Sequence, residues 1–230
     1  MPSRRSLFVF RTVPVLLTVI SLNSIDVRPA GAYEVRALGT MLTRAEDLLL
    51  PLTTVPGPHS SFGGRLGLEL EVGQGWSAGP SAQYVCSRFR AESVEGESDL
   101  TVSSWSIQFG AGRQLKVSSD LRGQVGPVFE YAETKSDFES RNATALRSES
   151  TRWAVGVRLR GELRTGSHFG LFADVTPMVG SAKASNPTQS LNTTWTSTSV
   201  DVGIGVCWSP NPRLSQRPTP TTAADRAETR

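Results

Sequence analysis

The chain is 230 residues long, with 24 Lys+Arg against 21 Asp+Glu, 38% hydrophobic residues and two cysteines. All of the cationic excess sits in the first 32 residues, where Arg4, Arg5, Arg11 and Arg28 face only Asp26; the rest carries 20 residues of each sign, which excludes a basic nucleic-acid-binding surface. Beyond the N-terminus no apolar stretch is long enough for a membrane helix, 48–52 being the longest, so any crossing has to be made by strands.

The first element reads as a cleaved secretory leader, 1–32. Arg4 and Arg5 form a basic start, 7–22 is mostly apolar but broken by Arg11 and Pro14, and Ala30-Gly31-Ala32 is a small-residue cleavage pattern. A permanent anchor helix is the alternative, and Ser3-Arg4-Arg5-Ser6-Leu7 is also compatible with a twin-arginine signal.

From residue 33 the dominant signal is alternation of apolar and polar positions, the period of a strand with two unlike faces. Eight such stretches follow: 33–42, 62–72, 76–89, 100–113, 121–133, 153–163, 169–182 and 196–208. In 153–163, Trp153, Val155, Val157, Leu159, Gly161 and Leu163 share one face, while Ala154, Gly156, Arg158, Arg160 and Glu162 share the other. Leu66, Leu68 and Leu70 alternate in the same way with Arg65, Glu69 and Glu71. The weakest stretch, 33–42, places Tyr33, Val35, Ala37, Gly39 and Met41 together.

The links sort by length. Those at 73–75, 114–120 and 164–168 are short, whereas 43–61, 90–99, 134–150 and 183–195 are long and polar. Strict alternation of short and long links, with an even strand number, is the pattern of an antiparallel up-and-down transmembrane β-barrel whose short turns lie in the periplasm and whose long loops lie outside. Aromatic residues fall near the strand ends: Tyr33, Trp76, Phe169 and Trp208 at the short-turn rim, and Phe62, Tyr84, Trp105, Tyr131 and Trp153 at the other. Amphipathic rings favour the two membrane interfaces, so these residues are expected to form aromatic girdles.

That phase sends Arg65, Glu69, Glu71, Arg122, Gln124, Glu130, Arg158, Arg160, Glu162, Asp174 and Asp201 into the lumen. An eight-stranded barrel is only about wide enough for its own side chains, and an unpaired buried charge costs several kcal/mol. The expectation is a lumen plugged by a charged side-chain network, with Gly67, Gly126, Gly156, Gly170, Gly203 and Gly205 leaving room for it.

With these features the stretch 33–208 resembles the small bacterial outer-membrane β-barrel proteins of the OmpA/OmpX type. The resemblance rests on architecture, and on 201–208, Asp-Val-Gly-Ile-Gly-Val-Cys-Trp, which is similar to the family's C-terminal insertion strand. It implies an outer-membrane location, contact with membrane lipid and lipopolysaccharide, and recognition of the last strand by the barrel-assembly machinery. Members commonly end at that aromatic. Here 209–230 continues as a Pro/Thr/Arg-rich segment, read as a disordered periplasmic tail too short for a peptidoglycan-binding domain.

No cofactor or metal site is legible. His59 and His168 fall at opposite ends of the barrel without a companion ligand. Cys86 is placed outward near the outer end and Cys207 inward near the periplasmic end, an arrangement that opposes a disulfide. His59-Ser60-Ser61 reads as a solvated turn, so no enzyme is expected. Asn142-Ala143-Thr144 and Asn192-Thr193-Thr194 read as loop polarity. The function expected is structural or surface-interacting, carried by the outer loops 136–149 and 183–195, whose sequence names no ligand. A narrow channel on the same fold, and a secreted lipocalin-like barrel with the faces reversed, are the alternatives.

Overall fold

The computed structural model describes residues 34–50, 57–72, 75–93, 96–140, 143–166, 168–186 and 191–210. The expected leader 1–32, Tyr33, Asn142 and the tail beyond Pro210 lie outside the described residues. The described part contains eight strands: β1 Glu34–Leu48, β2 Gly57–Val72, β3 Trp76–Ser93, β4 Gly96–Lys116, β5 Leu121–Ser140, β6 Ala143–Arg164, β7 Phe169–Asn186 and β8 Leu191–Trp208. Each pairs antiparallel with its sequence neighbours, and β1 closes the ring against β8 from Ala37↔Trp208 to Glu46↔Ser199. Closure pairs the backbone groups that an open edge would leave bare, which is the condition for crossing hydrocarbon with strands.

The faces are assigned without ambiguity. Val155, Val157, Leu159 and Ile204 are 45–67% exposed on the outside, while Arg158, Arg160 and Glu162, interleaved with the first three, are buried. Leu66 also faces out, and Arg65 and Glu69 face in. A lipocalin-like barrel needs the reverse arrangement, so that alternative is overturned.

The outer apolar belt is edged by rings. Trp76 and Phe169 are exposed and Trp208 half-buried at the short-turn end; at the other end Tyr84, Trp105 and Trp153 are exposed and Tyr131 is half-buried. Three of the second group are in contact: Trp105 and Tyr131 lie 5.9 Å apart centroid to centroid, and Tyr131 and Trp153 4.5 Å. Trp76 and Tyr84 are eight residues apart on β3. At about 3.4 Å per residue and a tilt of about 40° this is about 21 Å of height, close to the apolar band of about 25 Å in such barrels.

The strands are longer than the alternation indicates. β4 has 21 residues and β6 has 22, about twice the 9–11 a tilted strand needs to span a bilayer. The expected long loops at 90–99 and 134–150 are therefore mostly ladder: β3 and β4 pair to Ser93↔Gly96, and β5 and β6 to Ser140↔Ala143. The reason is that beyond the lipid belt the outer face meets water and is polar, while the inner face carries small polar residues such as Ser104, Thr134, Ser136 and Ser148, so the period-2 hydrophobic signal stops while backbone pairing continues. Around β6, residues 143–152 lift the wall about 26 Å beyond Trp153 by the same rise and tilt.

Candidate functional site

The inner face is a polar column with a few buried apolar side chains toward each end. At the short-turn end Leu38, Phe172 and Cys207 form a small buried cluster. At the extended end Leu48 and Leu49, part of the longest apolar stretch of the sequence beyond the N-terminus, are 4% and 3% exposed, and the Leu49 carbonyl oxygen accepts from Ser148 Oγ at 3.5 Å.

Ten charged residues carry the expectation of a lumen network. Arg65, Glu69, Glu130, Arg158, Arg160, Glu162, Asp174 and Asp201 are buried on the inner face, and Glu71 and Arg122 are half-buried at the short-turn mouth. The last two are joined through Gln114, which donates to Glu71 Oε2 at 3.2 Å and accepts from Arg122 at 3.4 Å. Gln124 donates to Ser77 Oγ at 2.6 Å in the same region.

The buried groups sort into two clusters. Nearer the short turns, Arg160 donates to Glu69 Oε1 at 2.6 Å and lies 3.6 Å from Asp174. Arg65 bonds Asp174, and Arg36 bonds Glu162. The Arg160 guanidinium also sits 4.5 Å over the Phe172 ring. Nearer the extended end, Arg44 donates to Asp201 at 2.7 and 3.0 Å and also to Glu130, which is shared with Arg152. Arg152 reaches Glu46 at 3.1 Å.

Gln108, 0% exposed, joins the two clusters. Its Oε1 accepts from Arg158 at 2.6 Å and Arg65 at 3.4 Å; its Nε2 donates to Glu130 at 2.8 Å and Asp201 at 3.2 Å. The amide dipole therefore points its oxygen at cations and its nitrogen at anions. The inner cluster has four guanidinium groups against three carboxylates, Arg158 having no carboxylate partner among the described residues; the outer cluster has two against three. A neutral amide that is both donor and acceptor suits a boundary between regions of opposite net charge.

Arg36, Arg44, Glu46, Gln108 and Arg152 are missing from the sequence-based set. Arg36 and Arg44 have the right parity on β1, but the expected first strand ended at 42 and its inner face was not used. Arg152 lies one residue before the expected start of its strand, and Gln108 is uncharged. Cys86 is exposed on the outside and Cys207 is buried inside, both as free thiols; Arg36 contacts Cys207 Sγ at 3.0 Å. His168 Nδ1 lies 2.9 Å from the Ser209 carbonyl oxygen beside the β6–β7 turn. His59 does not turn to Ser60 or Ser61; its Nε2 lies 2.7 Å from Ser87 Oγ on β3.

No protein-family model and no curated protein matches the chain. Solved structures do. It is similar to the Neisserial surface protein A (TM-score 0.50, 15% identity, 79% of this chain and 99% of that one) and to a major outer-membrane protein of Thermus thermophilus (TM-score 0.50, 7% identity, 74% and 99%). The attachment invasion locus protein Ail of Yersinia pestis also matches, at TM-score 0.44 and 12% identity over 78% of this chain and 99% of that one. The fold is an eight-stranded antiparallel transmembrane β-barrel with a polar, self-neutralised interior. It is the OmpA/OmpX-like fold shared by small barrels of the bacterial outer membrane.

Proposed function

We propose that the protein is a non-conducting outer-membrane barrel whose role is structural or surface-interacting, exercised through the β-sheet that rises beyond the lipid belt. The observation that carries this reading is the ion-pair column, in which Arg44, Glu130, Asp174 and Asp201 are at most 2% exposed and span the lumen from wall to wall. Opening a pore through it would strand buried charges, each costing several kcal/mol. Orphaned buried atoms along the column, including Arg44 Nη1, Glu69 Oε2 and Arg160 Nε, suit ordered water trapped among the pairs.

In this reading the short turns face the periplasm, the extended hairpins face outward among lipopolysaccharide head groups, and β8, ending at Trp208, is the strand met by the barrel-assembly machinery. The chain has no catalytic role. Purified protein in planar bilayers is expected to give no discrete conductance steps. Steps that vanish when bulky side chains are placed at Gly156 or Gly203 would establish the narrow channel instead.

A further inference from the structure

Pairing within the inner cluster leaves one guanidinium over. Glu162 is held by Arg36, Asp174 by Arg65 and Glu69 by Arg160, so each carboxylate has an arginine of its own before Arg158 is counted. Arg158 is 7% exposed and donates to the neutral Gln108 Oε1 at 2.6 Å, while its Nε is buried without a hydrogen-bond partner. Gln108 stands between Arg158 and the outer cluster, with its Nε2 turned to Glu130 and Asp201, so the carboxylate in excess on that side does not pair with it. A buried charge with no counter-charge in contact is strongly destabilising.

Beside this guanidinium the wall is hollowed. The β4–β5 ladder passes from Gly110↔Val128 to Arg113↔Val125 without pairing Ala111 to Pro127 or Gly112 to Gly126, and a proline has no N–H to give to a ladder. At this interruption Gly110, Gly112, Gln124 and Gly126, with Arg158 and Glu69, line a cavity of about 10 Å³. A Cβ on Gly110 would stand 3.4 Å from Arg158 Nη1; the missing side chain leaves that flank of the guanidinium open.

We propose that this cavity holds a single chloride ion as the counter-charge of Arg158. The space admits one particle of about the size of a water molecule, which excludes sulfate, phosphate and carboxylates. A guanidinium carries five N–H donors and no acceptor, and a spherical anion accepts from the unused ones without having to be oriented. Water would bond Nε but would not supply the missing negative charge. Glu69 lines the same cavity, but its charge is already met by Arg160 at 2.6 Å, so the site as a whole keeps the surplus of Arg158.

The test is reversible urea unfolding of the full chain in phosphatidylcholine vesicles at constant ionic strength, while potassium gluconate, whose anion is too large for the cavity, is replaced by potassium chloride. Unfolding opens the site, so the equilibrium does not depend on an entry path. Binding to the folded barrel alone raises the folded-to-unfolded ratio about tenfold for each tenfold rise in chloride above its dissociation constant, and sulfate in place of chloride should give no such rise. Arg158→Met should abolish the chloride dependence. Gly110→Ala puts a methyl group into the cavity at 3.4 Å or more from its neighbours, and should weaken chloride binding about fivefold or more. Arg88→Gln, on the exposed outer face, keeps the dependence of the parent. A parent without chloride dependence, or a dependence equal in the parent and in both lumen variants, overturns the proposal and leaves the cavity to water. Should Arg158→Met fail to fold, as heat-modifiable migration would show, Gly110→Ala decides.

Discussion

Arg44 offers the sharpest test of the lumen network. It is 0% exposed and gives two hydrogen bonds to Asp201, at 2.7 and 3.0 Å, and one to Glu130. Arg44→Met keeps much of the volume and removes the charge. Glu130 would retain Arg152 and Gln108, but Asp201 would keep only the Gln108 amide at 3.2 Å among the described residues. Three buried carboxylates would then face one guanidinium in that cluster. Breaking a buried pair from one side costs about 3–5 kcal/mol, mostly from the charge left uncompensated. If that is the cause, Asp201→Asn, which alone should cost about 1–3 kcal/mol, becomes stabilising in the Arg44→Met background and restores about 1–2 kcal/mol. Urea unfolding of the barrel in phospholipid vesicles, followed by the emission of its five tryptophans and by heat-modifiable migration, measures all four corners of the cycle. Arg44→Met within about 0.5 kcal/mol of the parent, or strictly additive effects, would refute the reasoning.

Val157→Arg, on the lipid face of β6, should cost about 2–4 kcal/mol, while Val117→Arg in the β4–β5 turn costs about 0–1 kcal/mol; equal losses in vesicle unfolding would contradict the placement of the belt. A Cβ on Gly126 would lie 1.9 Å from the Ala111 carbonyl oxygen, whereas one on Gly161 meets nothing within 4 Å, so Gly126→Ala should lose about 1–3 kcal/mol and Gly161→Ala under about 0.5 by the same assay. On the extended β3–β4 hairpin, hydrogen bonds from Arg90 and Arg88 hold the Asp99 carboxyl below its usual range. A depressed carboxylate stabilises the fold above its unfolded value, near 3.9, and that contribution disappears as pH falls through the folded one. Side-chain carbon NMR should place the Asp99 midpoint below the ordinary range and show it rising in Arg90→Gln; an unchanged midpoint in that variant counts against the pairing.

The sequence was most legible where one face meets lipid and the other a polar interior, as in 153–163, because there every residue's chemistry reports its direction. Legibility fell off at both ends of the strands for different reasons. In 134–140 and 146–150 the inner face carries small polar residues, Thr134, Ser136 and Ser148, buried though they are, so no apolar alternation marks these segments as strand, and only the pairing from Glu133↔Thr151 upward shows that they are. Arg44 and Glu46 continue the inner parity of β1, but they follow Thr43 in a run that reads as polar linker once Met41 has passed. Which acid meets which base was beyond reach: Arg36 bonds Glu162 and Arg65 bonds Asp174 across the lumen, contacts set by barrel closure and strand tilt.

The polar interior also bears on how the fold is specified. In a soluble protein, burial of apolar side chains drives collapse and selects the register; here the apolar side chains contact lipid, which gives little preference among registers of equal greasiness. A slip of one residue in β6 would send Arg158, Arg160 and Glu162 into hydrocarbon and bring Val157 and Leu159 against unpaired carboxylates, so period 2 alone forbids it. A slip of two residues preserves the faces and is excluded only by partners. Arg160 would then be replaced by Arg158 or Glu162 opposite Glu69 and Asp174, and Gln108 would no longer have cations at its oxygen and anions at its nitrogen. Strict parity thus selects the face, and the ion-pair column, with Gln108 matched to both of its halves, selects the register within it.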